Sequence, residues 1–182
     1  MPRTTYYVAS SLDGFIATPD HSLDWLLTRD IEEDGPMGPA DFITGVGAIA
    51  MGASTYRWIR DYQDRWDYTA PTWVFTHRDL PAPVGADVRF TQQDVRTVHA
   101  EMSTAAGDRD VWLMGGGDLV GQFADAGLLD EVVIAYAPVT LGSGAPLLPR
   151  RLELRMTELA RNGEFACARY DVVTDGATAR LA

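Results

Sequence analysis

Short apolar runs alternate along the chain with stretches whose apolar residues recur at helical spacing, and glycines or polar clusters separate them. The strands that this pattern predicts cover residues 4–9, 48–51, 71–76, 88–91, 111–114 and 131–137. The helices that it predicts cover residues 24–28, 41–46, 54–62, 94–107 and 118–127, with Ser54 and Asp94 as N-terminal caps. Strands that alternate with helices are typical of βαβ units, so the centre of the sheet is predicted to be parallel.

The C-terminal part of the chain has a different pattern. Leu152, Leu154 and Met156 alternate with polar residues, Asn162-Gly163 supplies a tight turn, and residues 164–173 return as a strand. This arrangement is typical of an antiparallel hairpin. We therefore expect one α/β domain over residues 1–182, with a mixed, mostly parallel central sheet, flanking helices and a C-terminal antiparallel hairpin. An edge strand near that hairpin makes a homodimer a hypothesis.

Charge and cysteine content narrow the classes of partner. The 182 residues include 15 basic and 26 acidic side chains, a net charge of -11, which argues against nucleic acid as the main partner. The one cysteine cannot form an intrachain disulfide, and no apolar run is long enough for a signal peptide or a membrane span. A cytoplasmic protein is expected. The three histidines are scattered, so no metal site is predicted.

The strongest local motif is the strand 111–114, which leads into Gly115-Gly116-Gly117 and then a helix. Glycines at the end of a strand let a ligand approach the backbone, and the following helix start offers free N–H groups to a phosphate. A tight turn that binds nothing is the alternative. The third glycine of a standard dinucleotide-binding loop would fall at Val120, so this is not a Rossmann loop of the usual kind.

Two further strand ends carry similar chemistry. Met51-Gly52-Ala53-Ser54-Thr55 is again a strand, a glycine and a helix start, and two such junctions can hold the two ends of one pyrophosphate. Thr76-His77-Arg78 directly follows another strand. Arg78 is a candidate for binding an adenosine 2′-phosphate, and a plain surface charge is the alternative.

The motifs occur in a characteristic order: Ala9-x-Ser11-x-Asp13-Gly14-x-Ile16-Ala17, Met51-Gly52-x-x-Thr55, Thr76-x-Arg78 and Gly115-Gly116-Gly117. As a set they resemble the dihydrofolate reductase superfamily, and in particular the C-terminal reductase domain of bacterial riboflavin biosynthesis. The resemblance implies an eight-stranded mixed sheet, NADPH as hydride donor and a flat heterocyclic substrate. That substrate is pterin-like or an aminopyrimidine of the 5-amino-6-ribosylaminouracil type.

The resemblance also implies roles for individual residues. It places Ala9, Gly14 and Ile16 at the nicotinamide, Gly52, Ser54 and Thr55 at the pyrophosphate, Thr76 and Arg78 at the 2′-phosphate, and Gly115, Gly116, Gly117, Asp118 and Leu119 at the other half of the phosphate site. The Gly115-Gly116 peptide is expected to be cis, as is frequent in this family.

The substrate half departs from dihydrofolate reductase proper, since no acid falls on the helix position where those enzymes carry a carboxylate. Asp13 and Asp24 are therefore the candidate proton donors, with a loop turn as the alternative role for Asp13. Trp25, Phe15 and Tyr56 are candidates for stacking against the substrate ring, with packing in the core as the alternative. An NADPH-dependent reductase, a nucleotide-binding protein without turnover and a dihydrofolate reductase remain as hypotheses.

Overall fold

The structure is a computed structural model that describes residues 2–173; residue 1 and residues 174–182 of the predicted domain lie outside the described part. In chain order its elements are β1 Thr4–Ser11, β2 Phe15–Ala17, α1 Asp24–Leu27, α2 Pro39–Thr44, β3 Val46–Gly52, α3 Ala53–Tyr62, β4 Thr72–Phe75, β5 Val88–Thr91, α4 Val95–Ala106, β6 Asp110–Gly115, α5 Gly117–Asp125, β7 Glu131–Ala137, β8 Ala145–Pro146, β9 Leu154–Asn162 and β10 Phe165–Val172. None of the helices in this part of the chain is long and apolar enough to cross a membrane.

Within residues 2–173, eight strands form one sheet in the order β5-β4-β3-β6-β1-β7-β10-β9. The strands from β5 to β7 run parallel to their neighbours, whereas β10 runs antiparallel to both β7 and β9. The predicted mixed, mostly parallel sheet with a C-terminal hairpin is therefore confirmed. β2 and β8, which the sequence pattern did not predict, pair with each other in a separate two-stranded ribbon.

The sheet is covered on both faces, and the alternation of side chains along β6 shows how. Val111 and Leu113 point into a core that includes residues of α4 and α5. Trp112 and Met114 point the other way, into a core built with α3. Because successive side chains of a strand face opposite sides, one strand supplies both cores. α3 and α5 thus lie on opposite faces of the sheet, although both begin at its carboxyl edge.

The structure corrects three of the five predicted helix starts and confirms two, that of α1 at Asp24 and that of α4. The helix predicted over 41–46 runs from Pro39 to Thr44, because proline suits the first helical position, and Val46 instead opens β3. The helix predicted from Asp118 begins one residue earlier. Ser54 does not cap α3, since Gly52 holds the cap position without a side-chain hydrogen bond. Asp94 caps α4 as predicted, and its carboxylate accepts from the Arg96 and Thr97 N–H groups at 3.0 and 3.1 Å.

Candidate functional site

A cleft of about 600 Å³ opens at the carboxyl ends of β1, β3 and β6. β3 and β6 are neighbours in the sheet, yet the helix after β3 packs on one face and the helix after β6 packs on the other. Such a switch point leaves a crevice between the two connections, and ligands of open α/β sheets bind there. The ribbon of β2 and β8 borders the same cleft through Ile16, Ala17, Ala145 and Pro146.

Two helix N-termini meet in this cleft without side-chain caps. Gly52 precedes α3 and Gly116 precedes α5, and neither can supply a capping side chain. Of the three described helices with nine or more residues, α4 has a side-chain cap and these two do not. The two starts are close together, since a Cβ added to Gly52 would lie 3.8 Å from the Gly116 nitrogen. Their free first-turn N–H groups form a site suited to an anion.

Nine of the thirteen predicted cofactor residues line this cleft. Ala9 and Ile16 lie at its β1–β2 side, Gly52, Ser54 and Thr55 lie at the start of α3, and residues 116–119 lie at the start of α5. The structure thus brings together residues from three separate motifs of the chain.

Two predicted glycines, Gly115 and Gly14, lie next to the cleft rather than in its lining. Gly115 ends β6, and a Cβ added to it would lie 3.8 Å from the Thr55 Oγ1 atom. Its peptide bond to Gly116 is cis, as the sequence resemblance implied. Gly14 has a φ of 84°, and its carbonyl oxygen accepts from the Leu147 N–H at 2.9 Å. Both glycines therefore support the walls of the cleft through their backbone.

Thr76 and Arg78 follow β4, next to the start of α3 but outside the cleft lining. The Thr76 hydroxyl accepts from the Arg78 N–H at 3.0 Å, which closes the turn after the strand. The Arg78 side chain is exposed, and its guanidinium makes no hydrogen bond or ion pair with any residue of the described range 2–173. Its role toward a 2′-phosphate stays a prediction.

Asp13 does not line the cleft; it ties two loops together. Its carboxylate accepts from the Ser11 hydroxyl at 2.6 Å, from the Leu141 N–H at 3.0 Å and from the Gly142 N–H at 2.7 Å. These hydrogen bonds, that of Ser11 above all, lower the pKa of Asp13 to about 2. The group is therefore an anion at neutral pH, and the geometry fits the loop-turn alternative better than proton donation.

Asp24, the other predicted acid, is the exposed first residue of α1. Its neighbours Leu23 and Leu26 line the cleft, whereas Asp24 does not. Among the described residues, Asp118 is the one carboxylate in the cleft lining, and its two oxygens accept from Arg150 and Gln122, each at 3.2 Å. The structure thus brings neither predicted proton donor to the cleft.

The candidates for stacking against the substrate ring also lie elsewhere. Tyr56 is a buried residue of α3, and its hydroxyl donates to the Pro81 carbonyl. Trp25 packs into the core near Phe165, and Phe15 pairs with β8. The aromatic side chains that do line the cleft are Tyr7, Trp58, Tyr68 and Trp112. Sequence reasoning missed them. The alternation of side chains along β1 and β6 could have identified two of them. It places Tyr7 on the face opposite Tyr6, and Trp112 on the face opposite Leu113.

Gly144 directly precedes β8 and lies against Ala17 of β2, so it sets how closely the two strands of this ribbon approach each other. Its φ is 150°, and a Cβ there would overlap the Ala17 carbonyl oxygen. We expect Gly144→Ala to lower the free energy of unfolding by at least about 2 kcal/mol, since both the dihedral and the clash oppose it. Gly85→Ala is the matched control, because Gly85 also has a positive φ of 78° but open space around it. Equal losses in denaturant unfolding would contradict this role for Gly144.

Comparison with known proteins places the chain in a family. Residues 50–167, well over half of the chain, match the RibD C-terminal domain. The uncharacterized protein YwjB of Bacillus subtilis is 32% identical over 177 residues, which cover 92% of this chain and 97% of that protein. A solved structure of a protein assigned to riboflavin biosynthesis in Shewanella sp. PV-4 has a TM-score of 0.80 at 24% identity and covers 94% of this chain and 99% of that chain.

A second solved structure shows the same fold at lower identity. It is a diaminohydroxyphosphoribosylaminopyrimidine deaminase/5-amino-6-(5-phosphoribosylamino)uracil reductase of Thermotoga maritima, with a TM-score of 0.68 at 16% identity. The match covers 94% of this chain and 57% of that chain. The sequence match over residues 50–167 and the likeness of the fold to these two solved structures agree with each other. This chain belongs to the RibD C-terminal domain family, a branch of the dihydrofolate-reductase-like superfamily.

Proposed function

We propose that this chain is an NADPH-dependent reductase that transfers a hydride to a flat heterocycle, either pterin-like or an aminopyrimidine of the 5-amino-6-ribosylaminouracil type. The convergence of two uncapped helix starts, at Gly52 and Gly116, on one cleft carries the proposal. Two such starts can bind the two phosphates of one dinucleotide through backbone N–H groups. Membership of the RibD C-terminal domain family supports reduction as the reaction.

The residues of the cleft fit a dinucleotide. A Cβ added to Gly116 would meet nothing closer than the Ile16 Cδ1 atom at 4.0 Å, so a ligand can approach the backbone there. Ser54 and Thr55, in the first turn of α3, add hydroxyl donors to the backbone N–H groups. Arg78 would bind the 2′-phosphate, because its guanidinium is exposed beside the start of α3.

The rest of the cleft suits hydride transfer. When bound, the reduced nicotinamide supplies the hydride. Ala9, Ile16 and Ala17 line the same cleft, and their apolar surfaces would exclude water from the ring that accepts the hydride. Neither Asp13 nor Asp24 lines the cleft, and both oxygens of Asp118 accept from other side chains, Arg150 and Gln122. The proposal therefore assigns the proton that completes the reduction to water.

Asp13 is expected to act as a positioning residue rather than as the proton donor. The pKa of Asp13 is lowered from its ordinary value of about 4. The stabilisation from its hydrogen bonds is therefore fully present above that pH and is lost only as the pH falls toward about 2. Asp13→Asn should therefore raise KM for NADPH about three- to tenfold, by loosening the loop around Leu141, and leave the pH profile of kcat unchanged. A fall in kcat of about 100-fold that lessens at low pH would instead assign the proton to Asp13.

The direct test of the reaction is NADPH oxidation in the presence of dihydrofolate or of 5-amino-6-ribosylaminouracil. Oxidation that depends on either compound supports the proposed reductase, and the choice between them separates the two substrate types. NADPH binding without oxidation of either would favour a nucleotide-binding protein without turnover. A Gly116→Val variant, which changes the start of α5 and none of the aromatic residues of the lining, serves as the background control.

A further inference from the structure

One group of residues in the cleft lining consists of aromatic and aliphatic side chains. We call it the aromatic half; it consists of Tyr7, Leu26, Trp58, Ile59, Tyr68 and Trp112. These residues come from β1, α1, α3, β6 and the loop before β4, so the fold rather than one motif assembles them. Such a surface favours a ligand with an extended apolar face.

The two aromatic residues at the floor of this half have their polar atoms bonded to the protein. The Tyr7 hydroxyl donates to the Met37 carbonyl at 3.0 Å, and the Trp112 Nε1 donates to the Tyr7 carbonyl at 3.1 Å. The Tyr7 ring also stacks on Phe42, with centroids 4.2 Å apart and an interplanar angle of 11°. Burial raises the pKa of Tyr7 to about 12, so its hydroxyl stays neutral. Fixed in this way, both rings offer hydrocarbon surface to the cleft.

The walls are similarly preformed. One face of Trp58 is stacked on Tyr62, with centroids 4.8 Å apart and an interplanar angle of 12°. Tyr68 packs edge-on against Trp112 at 5.9 Å. Each of these contacts restrains an aromatic side chain that a ligand would otherwise have to order, so a flat ring can bind at a lower entropic cost.

The charge around the aromatic half selects against phosphate. All 15 basic residues of the sequence are arginine, and none of those in the described range 2–173 lines the cleft. His21 is the one histidine among the described lining residues. A phosphate in this half would lose water without gaining a guanidinium or ammonium partner, which is strongly unfavourable.

We propose that the aromatic half binds a flat, uncharged aromatic or heteroaromatic ring that carries no phosphate group. The inference rests on the proposed function, because the reduced nicotinamide would lie against the same ring. It narrows that function: a ribosylaminopyrimidine without its phosphate, a pterin or a simpler aromatic ring fits, whereas a phosphoribosyl compound does not. The three supporting observations are the preformed aromatic walls, the bonded polar atoms of Tyr7 and Trp112, and the lack of arginine in the described lining.

The test compares two probes that share one ring, 1-naphthol and 1-naphthyl phosphate, by calorimetric titration of the whole chain saturated with NADP⁺. We expect 1-naphthol to bind at least about tenfold more tightly than its phosphate. Trp58→Ala should weaken 1-naphthol about three- to tenfold, whereas Leu159→Ala, an exposed change on the remote edge strand β9, should change nothing. The inference would be overturned if 1-naphthyl phosphate bound as tightly as 1-naphthol or more tightly. It would also be overturned if Trp58→Ala left the affinity for 1-naphthol unchanged.

A second variant adds the missing cation. Leu26→Arg places a guanidinium in the aromatic half and should reverse the preference toward 1-naphthyl phosphate. An unchanged preference in a folded Leu26→Arg variant would contradict the electrostatic part of the proposal. NADPH binding is measured in a separate titration. If the chain binds NADPH but shows no preference between the two probes, only this inference is overturned. If the chain prefers 1-naphthol as expected but does not bind NADPH, the proposed function is overturned and the inference about the ring site is retained.

Discussion

Gly116→Val is expected to abolish NADPH binding while leaving the fold intact. Gly116 has φ -78° and ψ 176°, which any residue adopts, and a Cβ there has open space up to the Ile16 Cδ1 atom at 4.0 Å. The valine methyl groups would occupy the gap between the starts of α3 and α5, where the phosphates approach the backbone. We expect NADPH affinity to fall by at least about 100-fold in calorimetric titration, with a midpoint of thermal unfolding close to that of the unchanged chain.

Gly45→Val is the matched control for this change. Gly45 also has an ordinary φ of -82°, and a Cβ there would make only a normal 3.6 Å contact with the Phe42 carbonyl oxygen. It lies outside the cleft, so NADPH affinity should be unchanged. If Gly116→Val bound NADPH as tightly as Gly45→Val, the glycine run would be a tight turn with no part in binding.

Arg78→Ala is expected to change the choice of cofactor rather than its general affinity. The Arg78 guanidinium is exposed and makes no ion pair with the described residues, so it is available to a 2′-phosphate beside the start of α3. Losing a charge-assisted contact of this kind costs about 1.5–3 kcal/mol, which corresponds to a roughly 10- to 150-fold weaker binding of NADPH. NADH, which lacks that phosphate, should bind as before.

Arg109→Ala provides the comparison, because Arg109 is an equally exposed arginine that precedes β6 at the opposite end of the sheet. The affinities for NADPH and NADH should both be unchanged in this variant. An Arg78→Ala variant that loses NADPH and NADH affinity equally would remove Arg78 from the 2′-phosphate site.

Much of the fold could be predicted from the sequence because its signals are local. Apolar runs bounded by glycine marked the central strands, the Asn162-Gly163 turn marked the hairpin, and Asp94 marked the start of α4. The ordered motifs at residues 9–17, 51–55, 76–78 and 115–117 were enough to suggest the superfamily by resemblance. Each of these features depends on residues that are close together in the sequence.

The remaining features depend on contacts between distant parts of the chain. Asp13 bonds to Leu141, 128 residues away, and β2 pairs with β8 across a similar separation, so neither shows in a local pattern. The aromatic half was missed for another reason. Whether Trp112 faces a core or a cleft depends on how β6 is placed between β3 and β1 and on which helix covers that face.

The central claim is that NADPH binds across the starts of α3 and α5 with its nicotinamide toward the aromatic half. The most direct measurement is energy transfer from tryptophan to the reduced nicotinamide, because Trp58 and Trp112 line that cleft. Titration with NADPH should quench tryptophan emission and produce sensitised nicotinamide emission, which saturates at one NADPH per chain and is absent in Gly116→Val. A chain that shows no transfer at any NADPH concentration, or the same transfer in Gly116→Val, would contradict the account.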